Sequence, residues 1–370
     1  MPRCESNDMK ALVSLLLCSC ATVPLYAQSG LQIQSDNRVL FHLRADDAKE
    51  VALRGQWAEH AIPLTKAADE SGVWTITTDP VPAGVWEYAF VVDGLSVIDP
   101  TNPAIKPQRE PGRSILHVAA TPPSPWDFQD LPHGTVHHHE YLSQSLGRPR
   151  ALSVYTPPGY EKSGDMKYPL LVLQHGSGDN QLTWVAHGKA HWILDSLIAE
   201  GKAKPMIVLM TDGHPLGKVP RDNAPAREQS LAAFERELLE DALPLVEAAY
   251  RVAADRQQRA IAGLSMGGWQ SIQVGLRNLD RFAWIGSFSG AADPDQLESV
   301  FADSDGVNAK LKLLWVACGG NDFLLLVNQR LIAAFTEHRI EHEWQLTEGD
   351  HSWPVWRGYL SDFAPRLFRP

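Results

Sequence analysis

The apolar run Ala260-Ile261-Ala262 leads straight into Gly263-Leu264-Ser265-Met266-Gly267-Gly268, and few folds can use such a junction. The pattern is that of a strand turning sharply into a helix with a serine at the apex. Glycines on both flanks remove the Cβ atoms that would block the turn, so the hydroxyl stands clear of the backbone. Ser265 is therefore the candidate nucleophile. Taken alone the string is only moderately specific, because glycine and serine also make plain loops, and partners elsewhere in the chain must decide its meaning.

The surrounding chain supplies a frame for such a turn. Strands are expected at Leu170 to Gln174, Met206 to Met210, Arg259 to Ala262, Ala283 to Phe288, Leu311 to Ala317 and His342 to Leu346. Helical segments are expected between them, at Ala190 to Glu200, Leu231 to Ala249, Met266 to Leu276, Leu324 to Glu337 and Val355 to Phe363. Such alternation implies an α/β fold with a mostly parallel sheet covered on both faces. Pro244 should kink or interrupt its helix, since it lacks an N–H and clashes with the preceding turn.

Two further residues follow Ser265 in the order nucleophile, acid, histidine that the α/β-hydrolase fold demands. Asp322 ends the turn Cys318-Gly319-Gly320-Asn321-Asp322 after a buried strand, and His351 lies on the loop Glu348-Gly349-Asp350-His351-Ser352-Trp353 after the last one. His351 would take the Ser265 proton while Asp322 fixes its tautomer and stabilises the imidazolium. Blander roles remain open. Asp322 could merely cap the next helix, His351 could be a surface loop residue, and Asp350 or Asp293 could be the acid. The oxyanion donors are expected in the loop after Leu170 to Gln174, at the N–H of Gly176 or Ser177, and at Met266 after the nucleophile. His175 precedes Ser265 and reads as structural.

Residues from about Leu31 to Ala120 follow a different pattern. Val39 to Leu43, Glu50 to Leu53, Val73 to Thr77 and Trp86 to Val92 are rich in β-branched and aromatic residues and broken by Gly, Pro and Asp, which points to a small all-β sandwich. Trp57, Trp74, Trp86 and Tyr88 could be its core or a sugar-binding platform, and core is favoured. Pro122-Pro123-Ser124-Pro125 marks a linker, because consecutive prolines hold the chain extended. The expected division is 1–27 leader, 28–120 sandwich, 121–133 linker and 134–370 catalytic domain. His137-His138-His139-Glu140 resembles a metal site only superficially: on a strand its alternate residues face opposite sides, so no metal is expected.

Lys10, the apolar stretch Ala11 to Cys20 and then Leu25-Tyr26-Ala27 suit a secretory signal cut after Ala27, implying a secreted or periplasmic protein. Met9 is an alternative start to Met1, and Leu17-Cys18-Ser19-Cys20 loosely resembles a lipobox, so anchoring at Cys20 is the alternative. The apolar stretch is too short to span a bilayer. Three of the four cysteines fall there, so a chain cut at Ala27 keeps only Cys318 and no internal disulfide. A formal net charge of −11 argues against nucleic acid or anionic membrane surfaces as partners, because phosphate neutralisation needs clustered Lys and Arg.

From about Gly134 to Leu367 the chain resembles the esterase D or carbohydrate esterase family one group, which includes feruloyl and acetyl xylan esterases. The resemblance is carried by Leu173-Gln174-His175-Gly176-Ser177-Gly178-Asp179, by Ile198-Ala199-Glu200-Gly201-Lys202-Ala203-Lys204-Pro205-Met206, by Phe234-Glu235, by the Ser265 turn, by Gly320-Asn321-Asp322 and by His351-Ser352-Trp353. Leu53-Arg54-Gly55-Gln56-Trp57, Gly72-Val73-Trp74-Thr75, Gly84-Val85-Trp86-Glu87-Tyr88 and Asp99-Pro100-Thr101-Asn102-Pro103 look like an early-set immunoglobulin-like domain similar to carbohydrate-binding family 48. The resemblance implies an α/β-hydrolase with Ser265, Asp322 and His351 as its triad. It also implies a cofactor-free hydrolysis of ferulate or acetate esters on arabinoxylan-type plant polysaccharide or oligosaccharide. Trp269 departs from the pattern, where a small residue is common; it could narrow the mouth of the site or pack behind the turn. Trp184, Trp269, Trp353 and Trp356 could line an aromatic acyl pocket, which tilts the reading to ferulate, or be core. Rival readings are a siderophore esterase of the enterobactin type, a peptidase, an acyltransferase, and a glycan-binding protein whose triad is vestigial.

Overall fold

The structure is a computed structural model that describes residues 31–69, 71–220 and 222–369. The leader expected at 1–27 lies outside the described residues. The N-terminal part contains nine strands among the described residues: β1 (Leu31–Ile33), β2 (Val39–Arg44), β3 (Val51–Gly55), β4 (Ile62–Pro63), β5 (Thr65–Lys66), β6 (Val73–Thr77), β7 (Gly84–Val92), β8 (Leu95–Val97) and β9 (Ser114–Val118). They form two sheets, β1-β2-β6-β5 and β4-β3-β7-β8, with β9 on β7. Alternation decides which face is inside: Val39, Phe41 and Leu43 of β2 are buried while their neighbours are not. Trp74 and Tyr88 are buried, and Trp57 and Trp86 pack partly buried against the same cluster. Trp57 stacks on Phe41 at 6.1 Å between ring centroids, so these four aromatics act as core.

The segment expected to be an extended linker is pinned on both sides. The buried Asp127 accepts from the backbone N–H groups of Ala120 and Ser124 and meets His117 at 2.7 Å. His133 Nδ1 and the Gly134 N–H reach Asp195, at 2.9 Å each, under the second sheet.

That second sheet has eight strands: β10 (Thr135–Ser143), β11 (Arg148–Thr156), β12 (Leu170–Gln174), β13 (Ile207–Thr211), β14 (Arg259–Leu264), β15 (Trp284–Phe288), β16 (Leu313–Gly319) and β17 (Glu343–Thr347). Their order is β10-β11-β13-β12-β14-β15-β16-β17. From β13 to β17 the neighbours run parallel, and β10 and β11 add an antiparallel edge. Central strands are buried on both faces, as Val172 and Ile261 on one side and Leu171 and Ala262 on the other show at 0% exposure. Helices Ala224–Glu237, Met266–Arg277 and Leu325–Glu337 cover one face. Ala190–Ala199 and Trp353–Phe363 cover the other. This is the α/β-hydrolase fold, preceded by a β-sandwich.

Pro244 leaves a visible trace. The chain passes from helix Ala224–Glu237 through a wide π turn, Leu238–Ala242, into a new helix Leu243–Ala249. Because Pro244 cannot donate to Glu240, the hydrogen-bond ladder is reset one turn early. The first helix also begins seven residues before the expected Leu231, since the Asn223 side chain caps the Ala226 N–H at 3.0 Å and Pro225 fits its first turn.

Two breaks in chain order meet beside β12. It pairs with β13 on one side and β14 on the other, with Gln174 opposite Gly263. The chain thus leaves these strand ends in diverging directions, and the crevice between the following loops is where α/β sheets hold ligands.

Candidate active site

Ser265 occupies the first residue after β14, at φ 52° and ψ −114°. This is a strained conformation for a residue with a side chain, and neighbouring bonds impose it. The Ser265 N–H donates to Phe288 O at 2.8 Å, and its carbonyl accepts from the Trp269 N–H at 3.0 Å. The glycines permit the crossing. A Cβ at Gly263 would lie 2.6 Å from the Gly267 backbone, and one at Gly268 would lie 2.8 Å from Ser287 Oγ and 2.9 Å from Gly290. Gly267 is the tightest: a Cβ would sit 2.5 Å from His175 O and 2.7 Å from Gln174 O. Those are backbone atoms of β12's end, so the strand itself must move. Gly267→Ala is expected to cost about 1–3 kcal/mol of stability and to lower turnover by disturbing the same loop; thermal unfolding together with ester hydrolysis would measure both.

His351 and Asp322 converge on this serine. His351 Nε2 lies 2.9 Å from Ser265 Oγ, and Nδ1 lies 2.9 Å from each Asp322 carboxylate oxygen. The two loops that carry them are tied together, with the Gly320 N–H donating to Thr347 O at 2.8 Å and the Asn321 N–H to Gly349 O at 2.9 Å. Asp322 also accepts the Leu324 N–H at 2.8 Å, so it caps the following turn and faces the histidine at once. Burial works to raise its pKa, but hydrogen bonds from His351, Leu324 and Ser289 outweigh this and hold the carboxyl below its ordinary value. Asp350 instead accepts from the Ser352 hydroxyl, and Asp293 caps the Asp295 N–H. Neither alternative acid reaches His351.

The loop after β12 lies against the nucleophile. A Cβ at Gly176 would be 2.6 Å from Leu264 Cδ1 and 3.5 Å from Ser265 Cβ, so a side chain there would have to displace the buried tip of Leu264. Ser177 and Met266 line a cavity with Ser265, and their backbone N–H groups have no hydrogen-bond partner among the described residues. Behind the loop stands a group that composition does not reveal, His175, Asp212 and His214, whose ligating atoms lie within 4.8 Å of one another. Such a trio could hold a cation, but its atoms are already engaged. His175 Nε2 accepts the Gly213 N–H at 2.9 Å, His214 Nε2 accepts the Gly178 N–H at 3.3 Å, and Asp212 takes Arg150 at 3.1 Å. Burial pushes the His214 pKa down to about 3, which keeps it a neutral acceptor. The trio therefore braces the loop. His137, His138 and His139 each meet a separate partner, Thr156, Ser153 and Tyr250.

Two cavities meet at Ser265. One, of about 260 Å³, is walled by Val219, Met266, Trp269, Phe323 and Leu324 and is mostly apolar. The other, of about 280 Å³, contains His351 and is mostly polar. Trp269 lines the first, Trp353 and Trp356 the second, and Trp184 neither. Trp184 is buried behind β12, donating to Gln174 O at 2.9 Å and packing edge-on against Trp353. Of the four tryptophans read as acyl-pocket lining or core, three therefore reach a cavity, divided between two, and Trp184 is core.

Sequence reasoning missed three contributors. Ser289, held at φ 53° after β15, accepts from Trp356 Nε1 at 3.2 Å behind the acid. Phe323 is 66% exposed yet stands 4.3 Å from the His351 ring, between the cavities. Most unexpected is the sandwich: Gln56, Lys106 and Gln108 line the polar cavity and Arg109 the apolar one. Its segment is stitched to the loop after β12, with the Arg109 N–H donating to Gly178 O at 2.9 Å and Lys106 Nζ placed 2.8 Å from Glu87 and 3.4 Å from Asp179. Only the adjacency in space of two distant segments could have shown this.

A family model named "Esterase", described as "Putative esterase", matches residues 143–367. A curated relative from Xylanibacter ruminicola, an endo-1,4-beta-xylanase/feruloyl esterase, is 31% identical over 354 residues, covering 91% of this chain and 46% of its own length. The chain thus spans less than half of that relative. Among solved structures, a ferulic acid esterase is 27% identical with a TM-score of 0.56, covering 64% of this chain and all of its own. Enterochelin esterase from Shigella flexneri is 19% identical with a TM-score of 0.64 over 93% of this chain and 96% of its own. That likeness is one of fold alone, and it takes in the sandwich.

Proposed function

The chain belongs to the Esterase family, and from that premise we propose that it is a serine carboxylic-ester hydrolase releasing ferulate, or acetate, from arabinoxylan-type plant polysaccharide. The observation that carries the reading is the unbroken relay of 2.9 Å contacts from Asp322 through His351 to Ser265. The similarity to a xylanase/feruloyl esterase over 91% of the chain supports the substrate. In this reading Ser265 Oγ attacks the ester carbonyl carbon while His351 Nε2 takes its proton. The N–H groups of Met266 and of Ser177 or Gly176 receive the developing oxyanion. His351 then passes the proton to the departing sugar oxygen, and water, activated by the same nitrogen, releases the acid. No cofactor enters.

The two cavities divide the substrate. Because His351 must protonate the leaving oxygen, the alcohol side belongs in the polar cavity that contains it, where the Gln56 and Gln108 amides suit sugar hydroxyls. The acyl group then falls in the apolar cavity, whose Trp269, Met266 and Phe323 suit an aromatic ring. In the same reading 134–370 is the catalytic domain, 121–133 the linker and 28–120 the sandwich, whose Gln56, Lys106, Gln108 and Arg109 line the cavities. Export, expected from the leader, would bring the protein to plant polysaccharide. A second reading, hydrolysis of a catecholate siderophore ester, draws on the likeness to enterochelin esterase across both parts.

Hydrolysis of methyl ferulate, acetylated xylan, p-nitrophenyl acetate and a catecholate siderophore, compared side by side, tests the assignment. Methyl ferulate is expected to give the highest kcat/KM of the natural acyl types. Clear preference for the siderophore would transfer the assignment to the second reading, and no hydrolysis of any ester would end both.

A further inference from the structure

Several buried or half-buried cations of this chain are matched to carboxylates. Arg150 meets Asp212 and Glu237, Arg259 meets Glu247, and Lys106 meets Glu87. Arg109 and Arg227 have no ion-pair partner among the described residues, and of the cations without one they are the two that line the apolar cavity opening on Ser265. Acidic residues outnumber Lys and Arg by 44 to 33, so carboxylates were abundant enough to match them. Arg109 is the more exacting case, because its Nε and Nη1 are buried and donate to no partner among the described residues. Desolvating a guanidinium without an acceptor is costly, and the arrangement makes sense where an acceptor arrives with the ligand. Arg227 lies over the Trp269 ring at 5.1 Å, on the same cavity.

We propose that Arg109, supplied by the sandwich, is a specificity-determining residue that receives an acidic oxygen at the far end of the acyl group, a ring hydroxyl or a carboxylate. The proposal rests on the assignment of the apolar cavity to the acyl group. Arg109 is well placed for such a role, because its own N–H bonds Gly178 O at 2.9 Å and the preceding Pro107 O accepts from Thr183 Oγ1 at 2.6 Å. Its backbone is thereby fixed to the loop that flanks Ser265, and the neighbouring Glu110 reaches Lys218 at 3.3 Å, next to the lining residues Gly217 and Val219. A guanidinium held this way selects geometry as well as charge, since its donors form a rigid planar fork. The sandwich then reads the acyl group rather than merely holding polymer.

The test compares matched pairs of esters that differ in one oxygen: methyl ferulate against methyl 3,4-dimethoxycinnamate for the hydroxyl, and methyl 4-carboxycinnamate against methyl cinnamate for the carboxylate. For the full-length protein, kcat/KM should favour the acidic member of at least one pair, and the pair that shows the preference identifies the oxygen. Arg109→Met should reduce that preference about ten- to hundredfold, chiefly through KM, while Arg109→Lys should restore part of it. Equal losses on both members of each pair would make Arg109 a structural brace and overturn the proposal. So would wild-type protein that hydrolyses p-nitrophenyl acetate and cinnamates with no preference within either pair. Failure to hydrolyse any ester, p-nitrophenyl acetate included, would instead remove the esterase reading on which the proposal stands.

Discussion

Ser265→Ala is expected to lower kcat on methyl ferulate by roughly 10⁴- to 10⁶-fold, the range over which removal of a triad serine silences other hydrolases. The fold should survive. The strained backbone at φ 52° is held by the Phe288 and Trp269 hydrogen bonds, which alanine keeps, and the only side-chain bond lost is the one to His351. Substrate affinity should therefore be preserved while turnover vanishes, which separates loss of chemistry from loss of structure. Labelling by a fluorophosphonate should disappear with it. Unlabelled wild-type protein would point to a vestigial site and favour the glycan-binding alternative; a variant that keeps most of its turnover would remove Ser265 from the mechanism.

The contrast between what sequence reveals and what it hides follows the range of the interactions involved. The Ser265 turn is legible because its causes are local: three glycines within six residues remove Cβ atoms that would collide with the adjacent strand. Asp322 and His351 are legible through chain order and strand ends, since the parallel sheet places the ends of β14, β16 and β17 on one edge. Strand limits are shifted by up to two residues. Cys318 and Gly319 read as turn but pair with Leu346 and Thr347, because the ladder to β17 outweighs their turn propensity. The strand β11 has no clear alternation to mark it, and its place is fixed by pairing with β10 and β13.

The division of the tryptophans between two cavities was hidden for a different reason. Residue type says that a large aromatic is buried, but not against what. Trp184 and Trp353 meet at 5.0 Å, yet only the second reaches a cavity. The contribution of Arg109 was hidden most deeply, because it depends on a backbone bond between two loop segments about seventy residues apart. The linker between the two parts is pinned at Asp127 and Asp195, and residues of the sandwich segment line both cavities, so it is part of the site rather than an appendage to it.

Asp322→Asn should cost nearly as much as loss of the serine, about 10⁴-fold in kcat, or about 5.4 kcal/mol of transition-state stabilisation. The shape of the side chain hardly changes. The Asn oxygen can still accept the Leu324 N–H, now 2.8 Å from Oδ1, which turns the amide nitrogen toward His351. An amide nitrogen only donates, so Nδ1 must become the acceptor and the ring proton moves to Nε2. That proton then points at Ser265 Oγ, 2.9 Å away, and the imidazole can no longer take the hydroxyl's proton. KM and the melting temperature should stay close to wild type, which a variant disrupting the fold would not achieve. Asp350→Asn is the matched control, since Asp350 bonds Ser352 and stands away from the imidazole, and it should leave turnover near wild type. Retention of turnover within about tenfold by Asp322→Asn would mean that orientation of His351 by the carboxylate is not what makes the serine reactive.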